Sequence, residues 1–381
     1  MSRPTTEAIL IIDTFPTLPV RSIRYRKRIR NYYRLGQTGA VPAATTWRVP
    51  TRLWNALDRF SGPDHVPAWR LDGLREPIQS SYGSIPFDNV GHGSTVFSLL
   101  ADTNPHQPLV IMDSIDLFRI DPVDYCDASG SVAVQNRLLQ ASQAAAGQII
   151  RVMRDNNVRF VNFSAGHTLP VVTADWRRDC GTQPSDAVLR QKLAAYAPIY
   201  DALFRTVGVM TIQAAIEGAD AADFPYDQPS PAWPNRLRTG YFTSLNSGVD
   251  SQGRGDHAGL TGWPGAANAD IYVNTGVLPT RPYAYNFTPL LQIGEFGIDH
   301  FPITAPQTSW VTPLALSRLI NLRYGTFANR TMDDSLIADL FRSVTPTSCP
   351  GLPGSRCVYQ DPLLHGDIES VRLEYRSKFY S

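Results

Sequence analysis

The stretch Pro302–Leu322, PITAPQTSWVTPLALSRLINL, constrains the chain more than any other. It passes from loop residues through Thr308-Ser309 and reaches Pro313 just as an apolar helical pattern begins. Val311, Leu314, Ala315, Leu316, Leu319, Ile320 and Leu322 leave no polar face, which predicts a helix buried inside a domain. Ser309 then falls in its first turn, where unpaired backbone N–H groups and the positive end of the helix dipole favour negative charge. A nucleophilic serine needs such a place, because both its oxygen and the oxyanion it creates must be stabilised. The bland alternative is that Thr308 and Ser309 only cap a core helix.

Upstream, Ala8–Ile12 (AILII) is a short apolar run ending in Asp13-Thr14, as expected of a buried parallel strand with a functional group at its C-terminal edge. Asp13 alone is a weak signal, since carboxylates often close turns. Within DNVGHGSTVFSLLAD, residues 88–102, His92 lies between two glycines that let the backbone bend tightly and leave the imidazole unobstructed. Residues 108–116 read as a second strand, 132–156 as a long helix, and Val158–Phe163 as a third strand running into the small residues Ser164-Ala165-Gly166. Such small residues let an extended peptide approach. A helix over 186–205 leads to a strand at 207–215, and strand-like pieces follow at 239–245 and 269–273. This order predicts an α/β fold, a mostly parallel central sheet with helices on both faces.

Asp13, His92 and Ser309 therefore occur in that order, 79 and 217 residues apart. In a Ser-His-Asp relay the imidazole takes the serine proton while the carboxylate fixes its tautomer, and the order Asp…His…Ser is one of the known arrangements. No GxSxG elbow surrounds Ser309. The chain resembles the subtilases, the subtilisin-like serine proteases. IIDT resembles their Asp motif and GHGSTVFS their His motif; VNFSAG resembles the strand lining the substrate cleft, and QTSWVTP the segment around the nucleophile. The likeness covers about residues 8–15 and 88–325. It implies a serine endopeptidase in which Asp13 orients, His92 acts as base then acid, and Ser309 attacks a polypeptide substrate paired along Ser164, Ala165 and Gly166.

Two departures stand out. Where the family has an oxyanion-binding Asn, Glu217 follows Ala214-Ala215-Ile216, and Gln307 replaces the Gly before Thr308-Ser309. A carboxylate at 217 repels the oxyanion unless burial keeps it protonated. The related sedolisins use an Asp in this role, but they carry Glu where this chain has His92. A lost donor costs about 2.7–4 kcal/mol. These substitutions also motivate an alternative, a catalytically impaired subtilase-fold module that binds, or is activated by, a partner. Only twelve residues precede Asp13, too few for the family's folding propeptide, which together with Glu217 suggests an intracellular, restrained enzyme.

The domain reading is a peptidase domain over 1–330, with a basic, Pro/Gly-rich insertion at 16–87 that includes a helix near 51–60, and a C-terminal extension over 331–381. Residues 20–35 hold seven Arg or Lys residues interleaved with tyrosines, either a solvated face or an exosite for an acidic partner. The formal net charge of +1 gives no general attraction to nucleic acid or anionic membrane, and no apolar run of membrane-spanning length is present. With no signal peptide, the expected location is cytoplasmic. Four cysteines are too few for a disulfide scaffold; Cys349 and Cys357 bracket a loop and suit local pairing, but free thiols are the expectation. The family resemblance brings Ca²⁺ to mind, yet no ligand spacing for it is readable, and neither Asp256-His257 nor Asp299-His300 makes a zinc motif.

Overall fold

The computed structural model describes residues 6–15, 22–43, 51–61, 68–70, 73, 92–104, 106–181, 184–216, 223, 225–226, 232–242, 269–274, 292–294, 297–299 and 308–344. Its strands are β1 (Ala8–Asp13), β2 (Ile29–Gly36), β3 (Gly39–Pro42), β4 (Leu109–Asp113), β5 (Val158–Phe163), β6 (Met210–Ala214), β7 (Arg236–Phe242) and β8 (Ile271–Asn274). A separate hairpin joins β9 (Gln292–Gly294) to β10 (Gly297–Asp299). The helices are α1 (Ser22–Tyr25), α2 (Thr51–Arg59), α3 (His92–Thr103), α4 (Leu117–Ile120), α5 (Pro122–Tyr125), α6 (Val132–Asp155), α7 (Leu169–Asp179), α8 (Asp186–Ala194), α9 (Ala197–Arg205), α10 (Thr308–Tyr324) and α11 (Asp334–Val344).

The main sheet has eight strands in the order β3-β2-β4-β1-β5-β6-β7-β8. Every neighbouring pair is parallel except the edge hairpin β2–β3, whose turn uses Gly39 at φ 89°. β1 is buried along its whole length because its side chains serve both faces. Ile9 and Ile11 join a core with α3, α10 and α11, while Ala8, Leu10 and Ile12 join a second core with α6, α8 and α9. Each such fully buried Ile or Leu contributes about 1.5–3 kcal/mol. This is the predicted mostly parallel α/β sheet with helices on both faces. β2 and β4 lie on one side of β1, and β5 to β8 on the other, so the winding reverses there. Beyond the C-terminal ends of strands at such a reversal is where open α/β sheets hold their ligands.

Several boundaries differ from the sequence reading. The segment 16–87, read as an insertion, supplies β2 and β3 to the sheet and Ile23, Tyr25, Leu53 and Leu57 to the buried interior. The extension read from 331 begins with α11, whose Leu336, Ile337, Leu340, Phe341 and Val344 pack into the same core as α10. The single helix expected over 186–205 is two, parted at Ala195-Tyr196 where Pro198 opens α9. Helix α7 was not anticipated.

Part of the basic stretch is committed to contacts within the molecule, while Lys27, Arg30 and Arg34 are exposed. The Arg28 guanidinium donates to the carbonyl oxygens of Ala101 (2.9 Å), Asn104 and Gln107, closing the C-terminal end of α3. Arg24 is buried, Arg26 pairs with Asp58, and Arg34 pairs with Asp113 at 3.5 Å.

The two cysteines for which the sequence suggests no pairing are joined. Cys126 and Cys180 form a disulfide with a Cα–Cα distance of 5.3 Å. They sit at the C-terminal ends of α5 and α7, an adjacency that their 54-residue separation gives no hint of. Cys349 and Cys357 lie outside the described residues.

Candidate active site

Asp13 closes β1, and the parallel pairing of β1 with β4 sets it beside Asp113. The backbone then leaves the sheet in a fixed way. Ser114 N–H donates to the Asp13 carbonyl (2.9 Å), and Phe15 N–H donates to Asp113 Oδ1 (2.9 Å). Thr14 N–H donates to Asp13 Oδ1 (2.7 Å). The same oxygen meets His92 Nδ1 at 2.7 Å. Asp13 Oδ2 is buried and has no partner among the described residues.

His92 is the first residue of α3, held there by Gly93 N–H donating to the Thr14 carbonyl (3.2 Å). A methyl group on Gly93 would stand 2.6 Å from the Phe15 ring. That ring is fully buried, and its backbone is pinned by Asp113 and by the Tyr32 hydroxyl, which donates to the Phe15 carbonyl (3.0 Å). Gly93→Ala is therefore expected to cost about 1–3 kcal/mol of stability through overpacking. It should also drag His92 off Asp13, so thermal melting and the acid limb of any activity profile should both move; an unchanged melt would show that Phe15 has room to yield.

The rest of α3 is buried on all sides and stitched to α10. Thr103 Oγ1 lies 2.7 Å from Ser317 Oγ, and Asn104 Nδ2 donates to the same hydroxyl (2.7 Å). This fixes the helix bearing His92 against the helix bearing Ser309. At the other end of the contact, the Trp310 indole stacks on the His92 imidazole, with centroids 4.7 Å apart and 28° between planes.

The imidazole experiences opposing influences. Burial pushes its pKa down, while the Asp13 carboxylate, by charge and by hydrogen bond, pushes it up and prevails, leaving the group above its ordinary value.

Ser309 occupies the first turn of α10. Its Oγ is turned to the Ser164 carbonyl (3.3 Å), and no hydrogen bond joins it to His92. In return Ser164 Oγ donates to the Ser309 carbonyl (3.0 Å), itself accepting from Asn162 Nδ2 (2.9 Å). Ser164, Ala165 and Gly166, with Asp13 and His92, line one open cleft of about 610 Å³. Glu217 and Gln307, named for the oxyanion site, lie outside the described residues.

The cleft also has walls that sequence reasoning missed. Asp116, Asp175, Arg178, Asp179 and His167 line it. Arg178 bridges Asp175 (2.8 Å) and Asp179 (2.6 Å). Burial raises the Asp116 carboxyl, and the nearby Asp175 and Asp179 charges add to the effect. His167 is stacked on Tyr196 (3.9 Å) with Nδ1 2.9 Å from the Tyr200 hydroxyl, and burial lowers its pKa to about 3, so it is neutral. α7 supplies three of these residues, and only a correct reading of that helix could have found them. Among the described residues, no group of three or more His, Cys, Asp or Glu side chains is arranged to hold a metal ion.

No family model matches the chain, and no curated protein matches it. Among solved structures it is similar to a cold-adapted subtilisin-like serine proteinase, at 12% identity and TM-score 0.38 over 94% of this chain and 88% of that one. It is also similar to a Pseudomonas sedolisin, a serine-carboxyl proteinase complexed with two molecules of pseudo-iodotyrostatin, at 13% identity and TM-score 0.35 over 100% and 95%. A third is the serine protease MycP1, an essential component of the type VII (ESX-1) secretion system, at 13% identity and TM-score 0.36 over 96% and 82%. At such scores the overlap is too loose to transfer an activity.

Proposed function

We propose that this chain is a serine endopeptidase in which Ser309 attacks the peptide carbonyl, His92 moves the proton and Asp13 orients His92. The observation that carries the reading is the 2.7 Å contact between His92 Nδ1 and Asp13 Oδ1, made by residues 79 apart in sequence. With Nδ1–H committed to the carboxylate, Nε2 is left as the base. Trp310, the residue after Ser309, stacks on the imidazole and so brings the start of α10 up to His92.

Turning Ser309 Oγ from the Ser164 carbonyl to Nε2 makes the nucleophile. Its proton passes to His92 as the Oγ–C bond forms, and His92 returns it to the leaving amine as the C–N bond breaks. Water then repeats the cycle to release the acid. The unpaired N–H groups of the first turn of α10 supply oxyanion donors. Glu217 in its neutral form, or Gln307, is the proposed further donor. The substrate lies extended along Ser164–Gly166 as an added strand.

No described helix is long and apolar enough to cross a membrane. The Cys126–Cys180 bond favours an oxidising compartment over the cytoplasm expected from sequence.

A fluorophosphonate probe at neutral pH tests the function. The wild type should be labelled and Ser309→Ala should not. Equal labelling of the two removes Ser309 from the role, and no labelling of either, with no proteolysis from acid to neutral pH, leaves the partner-binding alternative.

A further inference from the structure

Helix α10 carries Pro313 in its interior, five residues after its start at Thr308. A proline has no N–H to offer the carbonyl four residues back, and its ring crowds that carbonyl. Four residues before Pro313 is Ser309. The carbonyl of the proposed nucleophile is thus deprived of its helical partner at a point where the chain is packed between β5, β6, β7 and α3. An orphaned, packed carbonyl needs a donor from elsewhere.

Ser164 fills that need. It follows β5 directly, is 3% exposed, and its Oγ donates to the Ser309 carbonyl at 3.0 Å. That donation is itself directed. Asn162, on β5 and fully buried, donates its Nδ2 to Ser164 Oγ at 2.9 Å, which leaves the hydroxyl hydrogen free to point at Ser309. The Ser164 carbonyl receives the Ser309 hydroxyl at 3.3 Å. A single residue thereby holds both the backbone and the side chain of the nucleophile.

We infer that Ser164 is a positioning residue for Ser309: its hydroxyl, aimed by Asn162, replaces the helical hydrogen bond that Pro313 removes and so sets where the nucleophile stands relative to His92. This rests on the reading of Ser309 as nucleophile and adds to it a requirement for the side chain of Ser164, distinct from any pairing of its backbone with substrate. The proline frees a carbonyl, and the serine captures it from the neighbouring strand. The Ser309 carbonyl is thus tied to the sheet and not to the second turn of its own helix.

The test is a double-mutant cycle on the full chain, since the two changes should cancel. Pro313→Ala restores an N–H four residues after Ser309 and makes the Ser164 hydroxyl redundant. Fluorophosphonate labelling rates are measured for wild type, Ser164→Ala, Pro313→Ala and the double variant, with Ser164→Thr as the variant that keeps a hydroxyl. Ser164→Ala should slow labelling about ten- to hundredfold, as misplacement of a reacting group does. The same change made in the Pro313→Ala protein should slow it by less than about threefold, and Ser164→Thr, which keeps the hydroxyl, should slow labelling less than Ser164→Ala does. Equal slowing in both backgrounds, or none in the first, overturns the inference, because a loss of general stability would not be rescued by Pro313→Ala. Amide hydrogen exchange over 309–316 is followed in the same proteins. If nothing is labelled, the protease reading fails. Faster exchange in Ser164→Ala that Pro313→Ala suppresses then still upholds the tie between Ser164 and the Ser309 carbonyl, and unchanged exchange removes it.

Discussion

Asp13→Asn should lower kcat about 10⁴-fold while leaving the fold in place. The asparagine fits the space at the end of β1, and its amide oxygen can still accept from Thr14 N–H, which meets Oδ1 at 2.7 Å. That same oxygen meets His92 Nδ1 at 2.7 Å. An amide oxygen kept there leaves the imidazolium without its counter-charge, while an NH₂ turned there gives up the Thr14 bond and selects the tautomer with its proton on Nε2, which cannot take the Ser309 proton. The pH profile separates this cause from simple damage. In wild type the carboxylate outweighs burial and holds His92 above its ordinary pKa, so the acid limb of kcat/KM should sit above about pH 6.5. In Asp13→Asn burial acts unopposed, and the limb of the residual activity should move below that value. A limb that stays in place would show that His92 is not the group titrating.

Stability should follow the same linkage. A histidine whose folded pKa is raised stabilises the fold fully below its unfolded value and loses that contribution as pH climbs through the folded one. The melting temperature of wild type should therefore exceed that of Asp13→Asn most in mildly acidic buffer, with the gap narrowing as pH rises past about 6.5.

How much of this was legible in the sequence depended on whether the determining contacts were local. β5 falls where its apolar run predicts it, and α6 starts at Val132 as expected, with the Ser131 hydroxyl accepting from Val134 N–H as its cap. Asp13 and His92 were found from a strand end and a Gly-His-Gly, and the structure brings them together. Ser309 was found from the unbroken apolar pattern that follows it, but its partner was not. The Ser164–Ser309 hydrogen bonds join residues 145 apart, and nothing local marks Ser164 as a donor to a carbonyl freed by Pro313. Arg28 read as surface charge because its acceptors are main-chain oxygens at the end of α3 and just beyond it, which carry no sequence signature. α7 was passed over because LPVVTADWRRD puts only Leu169, Val172 and Trp176 inward, too sparse a pattern to register as a helix.

Removing the Cys126–Cys180 bond should produce the second large effect, and on stability rather than chemistry. The bond closes a loop spanning 54 residues that contains α6, β5 and α7. By loop-closure entropy this restricts the unfolded chain by about 4 kcal/mol, and Cys126→Ser with Cys180→Ser should lower the unfolding free energy by about 3–4 kcal/mol, read from urea midpoints. The cleft should survive the change. α7 is anchored by Trp176, which is fully buried between Tyr125 and the Lys192 ammonium, and by Thr168, whose hydroxyl accepts from Val171 N–H at its start. Asp175, Arg178 and Asp179 ride on that same helix, so peptide KM and the rate of fluorophosphonate labelling should stay within about twofold of wild type, less than a 1.4 kcal/mol change and well below the stability loss. A KM that rises with the loss of stability would instead make the bond a brace for the cleft wall, tying α7 to the end of α5. Peptide mapping without reduction checks the premise: the fragments bearing Cys126 and Cys180 must travel together and separate on reduction.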